Sequence, residues 1–236
     1  MTIIIGIDGL EYEYVKEFGC KDLMQKSFGK TNIEEYEEPR TIVLWSSFLA
    51  GQNLEEKIVA MGNEKMWDFA LKPEETFFKH FESFKAVDVP GYNYGREQHV
   101  LEREMLKKFF AEEITVEEFD KPVFDYHRKL KEQFFEDLEK DYDLLFYYFN
   151  AADVLGHLSF GMKSKMKLIY QDMNDIAAKA AAKGEPMLIL SDHGMKSVGR
   201  YGDHQEGYGF WSNSLGKDLG NPKITELAEF VANEMK

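Results

Sequence analysis

The sequence predicts an α/β fold: a mainly parallel sheet with helices on both faces. Two observations carry that expectation. The segments "TIIIGI", "LLFYYF" and "PMLIL" are apolar along their length rather than alternating, as strands covered on both faces are. Stretches with helical spacing separate them, and strand alternating with helix is the pattern of a parallel sheet. No internal repeat or composition shift marks a linker, so residues 1–236 read as one domain.

The first strand runs from Thr2 to Ile7 and stops at Asp8-Gly9, a loop signal. Glu11 to Ser27 is expected as a helix. A Pro-marked turn opens "EEPRTIVLWSSFLAGQN", an otherwise apolar segment closed by Gly51. "FKAVDVPGYNYG" reads as a second strand ending at Pro90-Gly91, and Glu97 to Ala111 as a helix. Thr115 with Glu118 three residues on has the form of a capping box. Phe124, Leu130, Phe134, Phe135 and Leu138 then recur at helical spacing. "DYDLLFYYFNAAD" holds the third strand, and "KMKLIYQDMNDIAAKAAAKG" is a helix stopping at Gly184. The fourth strand ends at Ser191-Asp192-His193. A Gly-rich loop is expected over residues 194–209, and a closing helix from Ile224 to Met235.

The net charge of -14 and pI near 4.9 argue against a broad basic surface for a nucleic-acid polymer or an anionic membrane. A small anionic substrate stays compatible, because bound divalent ions reverse the local field. Cys20 is the one cysteine, so no intramolecular disulfide can form, which fits a reducing compartment. No segment approaches about 18 apolar residues, and "TIIIG" is too short for a signal-peptide core. A soluble, cytoplasmic protein is the expectation.

Three strand ends carry the chemistry. The first ends at Asp8. The third leads into "NAADVLGH", which sets Asp153 and His157 four apart, on one face of a helical turn. The fourth ends at Asp192-His193, where a buried tip presents two polar groups that need partners. Ligands bind at the carboxyl ends of strands in open α/β sheets, so these five residues are expected to converge. His204, in "RYGDHQEGYGF", is a sixth candidate. Carboxylates with imidazoles suit zinc or manganese. Six ligands exceed one tetrahedral site; three apiece would leave open positions on each of two metals.

These residues match a known pattern. "GIDG", "PRTIVLWSSFLAG", "NAADVLGH", "LSDHGM" and "GDHQEGYGFWS" stand in the order found in the alkaline phosphatase superfamily, and the chain most resembles its nucleotide pyrophosphatase/phosphodiesterase branch. The resemblance implies an alkaline-phosphatase-like core and two divalent ions, zinc or alternatively manganese. It assigns one ion to Asp8, Asp192 and His193 with Thr41, and the other to Asp153, His157 and His204. Thr41, ten residues before Gly51, stands at the nucleophile position, implying a metal-activated hydroxyl and a phosphothreonine intermediate. The chain departs from the pattern at Val43, where many relatives have Pro, and at Ala50, where Thr is usual. The family's "HGI" is missing from "GQNLEEKIVAMGN". Asn63 is the candidate for the Asn that contacts a phosphate oxygen in the diesterase branch.

The resulting expectation is a metal-dependent phosphohydrolase acting on a small phosphate ester or nucleotide. A phosphomonoesterase with the same site is the alternative, and a non-catalytic metal- or nucleotide-binding module is a third reading. Ser46 and Ser47 are rival nucleophiles that read better as a helix start. Arg40 is placed to touch phosphate or to lie on the surface. Tyr92 and Tyr94 follow a strand end, where packing is the commoner role. His80, His99 and His127 read as surface histidines.

Overall fold

The computed structural model describes residues 1–236. In chain order the elements are β1 (Thr2–Ile7), α1 (Tyr12–Glu17), α2 (Lys21–Met24), β2 (Ser27–Asn32), α3 (Thr41–Ala50), α4 (Glu55–Val59), β3 (Phe84–Val87), α5 (Arg96–Phe110) and α6 (Val116–Asp137). They continue with β4 (Leu144–Phe149), α7 (Ala151–Ser159), α8 (Lys163–Ala181), β5 (Met187–Ser191), β6 (Gly194–Val198), β7 (Tyr201–Gln205), β8 (Tyr208–Asn213) and α9 (Glu226–Glu234).

Six strands form the central sheet in the order β2-β8-β5-β1-β4-β3. β1 pairs in parallel with both β4 and β5, and β3 pairs in parallel with β4. β8 runs antiparallel to β5 and to β2, so it alone is reversed. Successive side chains of a strand point to opposite faces, and the core divides accordingly. Ile3, Ile5, Ile7, Leu145, Tyr147, Phe149, Met187 and Ile189 pack under α1, α6, α7 and α8. Ile4, Leu144, Phe146, Tyr148, Leu188 and Leu190 pack under α3 and α9, with Trp45 fully buried among them. Continuous apolar runs are what such two-sided burial requires.

The capping box at Thr115 forms as expected, with Thr115 and Glu118 each accepting the other's backbone N–H. Gly51 closes α3 in the left-handed conformation. Two expectations are corrected. Residues 11–27 do not form one helix: Gly19 turns the chain at φ +67 and Gln25 at φ 52, which splits the segment into α1 and α2 and frees Ser27 to begin an edge strand. Residues 194–209 are not a loop but the β6–β7 hairpin followed by the start of β8. The glycines there serve close packing: a Cβ on Gly202 would lie 2.5 Å from the Met195 sulfur. No helix is long and apolar enough to cross a membrane.

Candidate metal centre and adjoining cleft

Because β1 lies between β4 and β5, the carboxyl ends of three parallel neighbours meet at one point of the sheet edge. Asp8 follows β1 and Asp192-His193 follows β5. Asp153 and His157 occupy the turns of α7 that begin directly after β4. Gly9 makes the approach possible. It sits at φ +64, and a Cβ there would meet the Asp153 Cβ at 2.9 Å. His204 arrives from β7, and Thr41 is the first residue of α3.

The six candidate ligands form one cluster. His193 Nε2 lies 3.3 Å from Asp8 Oδ1 and 3.5 Å from Asp192 Oδ2. His157 Nε2 lies 3.3 Å from Asp153 Oδ2, and His204 Nε2 lies 3.6 Å from Asp153 Oδ1. Two trios have ligand atoms within 4.8 Å of one another: Asp8 with Asp192 and His193, and Asp153 with His193 and His204. His193 thus belongs to both, its ring stacked on that of His204 at 4.0 Å, while His157 approaches Asp153 from α7.

The imidazoles share one orientation. His193 Nδ1 lies 2.9 Å from the Gly194 carbonyl, His157 Nδ1 3.2 Å from that of Gly202, and His204 Nδ1 3.0 Å from that of Pro39. A carbonyl only accepts, so each Nδ1 donates and each Nε2 is presented to the carboxylates, the tautomer a metal ligand needs.

The carboxylates are short of partners. Asp8 accepts from the Tyr148 hydroxyl through Oδ2. Asp8 Oδ1, Asp153 Oδ1, both oxygens of Asp192 and His193 Nε2 are buried without any hydrogen bond. Three carboxylates in a dry pocket are costly unless cations or hydrogen bonds compensate them. The titration pattern records the conflict. Burial, followed by the Asp8 charge, pushes Asp192 well above the carboxylate range. Burial alone would lower His193, but Asp192 and Asp8 outweigh it and push the imidazole up to about 10. The Asp153 charge raises His157 to about 9. Burial and the neighbouring His193 lower His204 to about 4. The donor set and its orphaned atoms therefore fit divalent cations.

Asp8, Thr41, Asp153, His157 and His204 line a cleft of about 310 Å³, with Asp192 and His193 fully buried behind it. Arg40, preceding Thr41, provides no side-chain cap to α3 and instead bonds Glu38 and Asn63. Asn63 does not line this cleft; it is exposed and lines the cleft next to it. Ser46 and Ser47 are fully buried inside α3, and Ser47 Oγ accepts the Leu54 N–H at 3.1 Å. Tyr92 packs on Phe78, whereas Tyr94 lines the site cleft.

Sequence reading passed over several lining residues. Glu102, on α5, is 2% exposed and accepts from Gln98 and from Asn150. Burial pushes its carboxyl up to about 7. Two histidines expected on the surface are corrected. His127 is buried against Asp172 at 2.7 Å, and His99 is half-buried, stacked on Trp67 at 4.1 Å within the cleft wall. His80 is exposed as expected. The one sequence signal for the cleft wall was the helical spacing of His99, Glu102 and Arg103 within α5.

No protein-family model matches the chain, and no curated protein sequence does. Solved structures do. The chain superposes on the murine ectonucleotide pyrophosphatase/phosphodiesterase 5 with a TM-score of 0.50 at 14% identity, covering 84% of this chain and 58% of that one. It also superposes on Ps i-CgsB, solved in complex with k-i-k-neocarrahexaose, with a TM-score of 0.51 at 13% identity, over 100% of this chain and 72% of that one. The likeness is one of fold. It agrees with the alkaline-phosphatase-like core expected from the motifs, on a chain spanning a little over half the length of the murine protein.

Proposed function

We propose that the protein is a metal-dependent phosphohydrolase that cleaves phosphodiester or nucleotide pyrophosphate bonds, with Thr41 as its nucleophile. One observation carries the reading: three imidazole Nε2 atoms and three under-satisfied carboxylates converge beside a threonine at an uncapped helix N-terminus. Asp8, Asp192 and His193 would hold one divalent ion with Thr41, and Asp153, His157 and His204 the other, with zinc or manganese suited to this donor set. When bound, such ions neutralise the phosphoryl oxygens and make a coordinated hydroxyl a competent nucleophile.

The remaining work falls to the chain itself. At the start of α3 the Val43 and Leu44 amides both donate to the Arg40 carbonyl, whereas those of Thr41 and Ile42 have no acceptor and receive no side-chain cap, so these two are available to a phosphoryl oxygen. A phosphoryl group seated there lies beside the Thr41 hydroxyl. Attack by Thr41 Oγ forms a P–O bond as the bond to the leaving oxygen breaks; the hydroxyl proton is lost and the leaving group takes one up. Water then cleaves the phosphothreonine and restores Thr41. The cleft size suits a small phosphate ester or nucleotide.

The test is hydrolysis of bis-p-nitrophenyl phosphate and of p-nitrophenyl phosphate with added zinc or manganese, by wild type and Thr41→Ala. Diester turnover lost by about a thousand-fold or more in Thr41→Ala, with metal content unchanged, is the expected result. Turnover of the monoester alone would make the protein a phosphatase. Absence of both activities with metal bound would overturn the catalytic reading and leave a binding module.

A further inference from the structure

Helix α5 presents His99, Arg103 and Lys107 on successive turns, and the first two sit where two clefts meet. His99, Arg103 and Trp67 line both the site cleft and an adjoining cleft of about 250 Å³, which Lys107 also lines. His99 Nδ1 lies 3.0 Å from the Tyr94 hydroxyl. That hydroxyl has no other partner and burial holds it protonated, so it donates to Nδ1 and the His99 proton rests on Nε2. Nε2 is buried and has no acceptor. The guanidinium of Arg103 lies over the Trp67 ring at 5.4 Å, on the same indole against which His99 stacks.

Arg103 and Lys107 pair with no carboxylate, although Glu64 and Glu104 line the same adjoining cleft. Arg96, on the same helix, is by contrast paired with Asp68. What sets these two cations apart is their place: both line the cleft adjoining the candidate metal centre, and Arg103 lines the site cleft as well, where a free cation is available to an anionic ligand. A buried N–H without an acceptor beside them points to the same kind of group.

We infer that His99, Arg103 and Lys107 form a subsite for a second anionic group of the substrate, beyond the phosphoryl group attacked by Thr41. The inference rests on the proposed function for the identity of the first group. It narrows the substrate to phosphate compounds carrying at least two anionic centres, with the second reached through the gap beside Trp67. Arg103 meets that group as a planar fork held over the indole, His99 donates from Nε2, and Lys107 adds charge one turn further out.

Two measurements on the metal-loaded protein test this. The first is the ratio of kcat/KM for a nucleoside triphosphate to that for a nucleoside monophosphate p-nitrophenyl ester, whose leaving group carries no anion before cleavage. Arg103→Gln is expected to lower that ratio about ten-fold or more, Lys107→Gln to lower it less, and Arg103→Lys to recover part of it. Both residues are exposed, so these variants leave the core untouched. The second is calorimetric affinity for α,β-methylene ATP against AMP. Wild type is expected to prefer the triphosphate about ten-fold, and Arg103→Gln with Lys107→Gln to remove most of that preference. A ratio and a preference that the variants leave within about two-fold of wild type would overturn the inference, as would a wild type with no preference. If wild type hydrolyses neither ester, the proposed function falls and the calorimetric preference alone decides the subsite.

Discussion

Asp8, Asp192 and His193 stand at the tips of two neighbouring parallel strands, with side chains 5% exposed or less. Asp153, His157 and His204 come from a helix and a hairpin, and the two imidazoles are a quarter or more open to solvent. The same chemical types therefore occupy two different dielectric settings. The inner group is fixed by the register of the sheet and cannot relieve its charge by moving or by recruiting bulk water, so it depends most on a cation. The outer imidazoles face the open cleft, where water screens their charge, so that group depends less on a cation.

Removing a charge from the inner group breaks this comparison most sharply. Asp192→Asn is expected to cost about a thousand-fold or more in phosphodiester turnover, since a ligand to the charge-neutralising ion is lost. In excess chelator near neutral pH the same substitution should stabilise the protein by roughly 1–3 kcal/mol, raising Tm by about 3–9 °C, because the cost of protonating the buried Asp192 carboxyl is gone. A chelated variant that melts below wild type would show that Asp192 is satisfied without metal.

The outer group should respond more mildly. His204→Ala is expected to weaken the second metal equivalent by about 10–100-fold while the first stays bound, as read by metal titration with competition. Loss of both equivalents together would mean that His193, shared by the two trios, couples them into one site.

Gly9→Ala tests the seam between the groups. A Cβ at φ +64 is strained and would press on Asp153, so a loss of about 2 kcal/mol and roughly 6 °C in Tm is expected, with the outer metal affected before the inner.

The smallest effect is one of pH. Glu102 has its carboxyl raised from 4.5 to about 7 by burial, so the folded state binds the extra proton between those values. Metal-free protein should therefore lose stability as pH rises from about 4.5 to 7 through this residue and level off above. Asp88, raised by burial to about 6, adds a similar slope that begins lower. Glu102→Gln should flatten the upper part of that decline in a series of thermal melts, and an unchanged slope would count against the assignment.

Much of the candidate site was legible because its residues obey local rules. Asp153 and His157 are four apart, and the helix that puts them on one face forms as the spacing implies. Asp192 and His193 end an apolar strand, and both are fully buried. The cleft wall was not legible. His99 and Glu102 lie in "REQHVLEREMLKKFF", whose charge density reads as a solvated helix; the spacing of His99, Glu102 and Arg103 shows that they share a face, not that this face closes over the candidate ligand cluster. His204 was found as a residue but placed in a loop, because glycines that serve close packing read as turn signals. Asn63 could be named from a motif, yet only the fold assigns it to the neighbouring cleft.

By itself, the sequence determined the four parallel strands β1, β3, β4 and β5, that the three apolar ones are covered on both faces, and which polar residues stand at their ends. Those properties follow from apolar runs and short-range spacing, which are local. Only the tertiary structure decided that β1 lies between β4 and β5, so that residues 8, 153 and 192 become neighbours. It also decided that the carbonyls of Gly194, Gly202 and Pro39 orient the three imidazoles, and that Arg103 is left without a carboxylate. Strand order, burial of charge and hydrogen-bond partners all depend on groups far apart in the chain, and no window of sequence contains both members of such a pair.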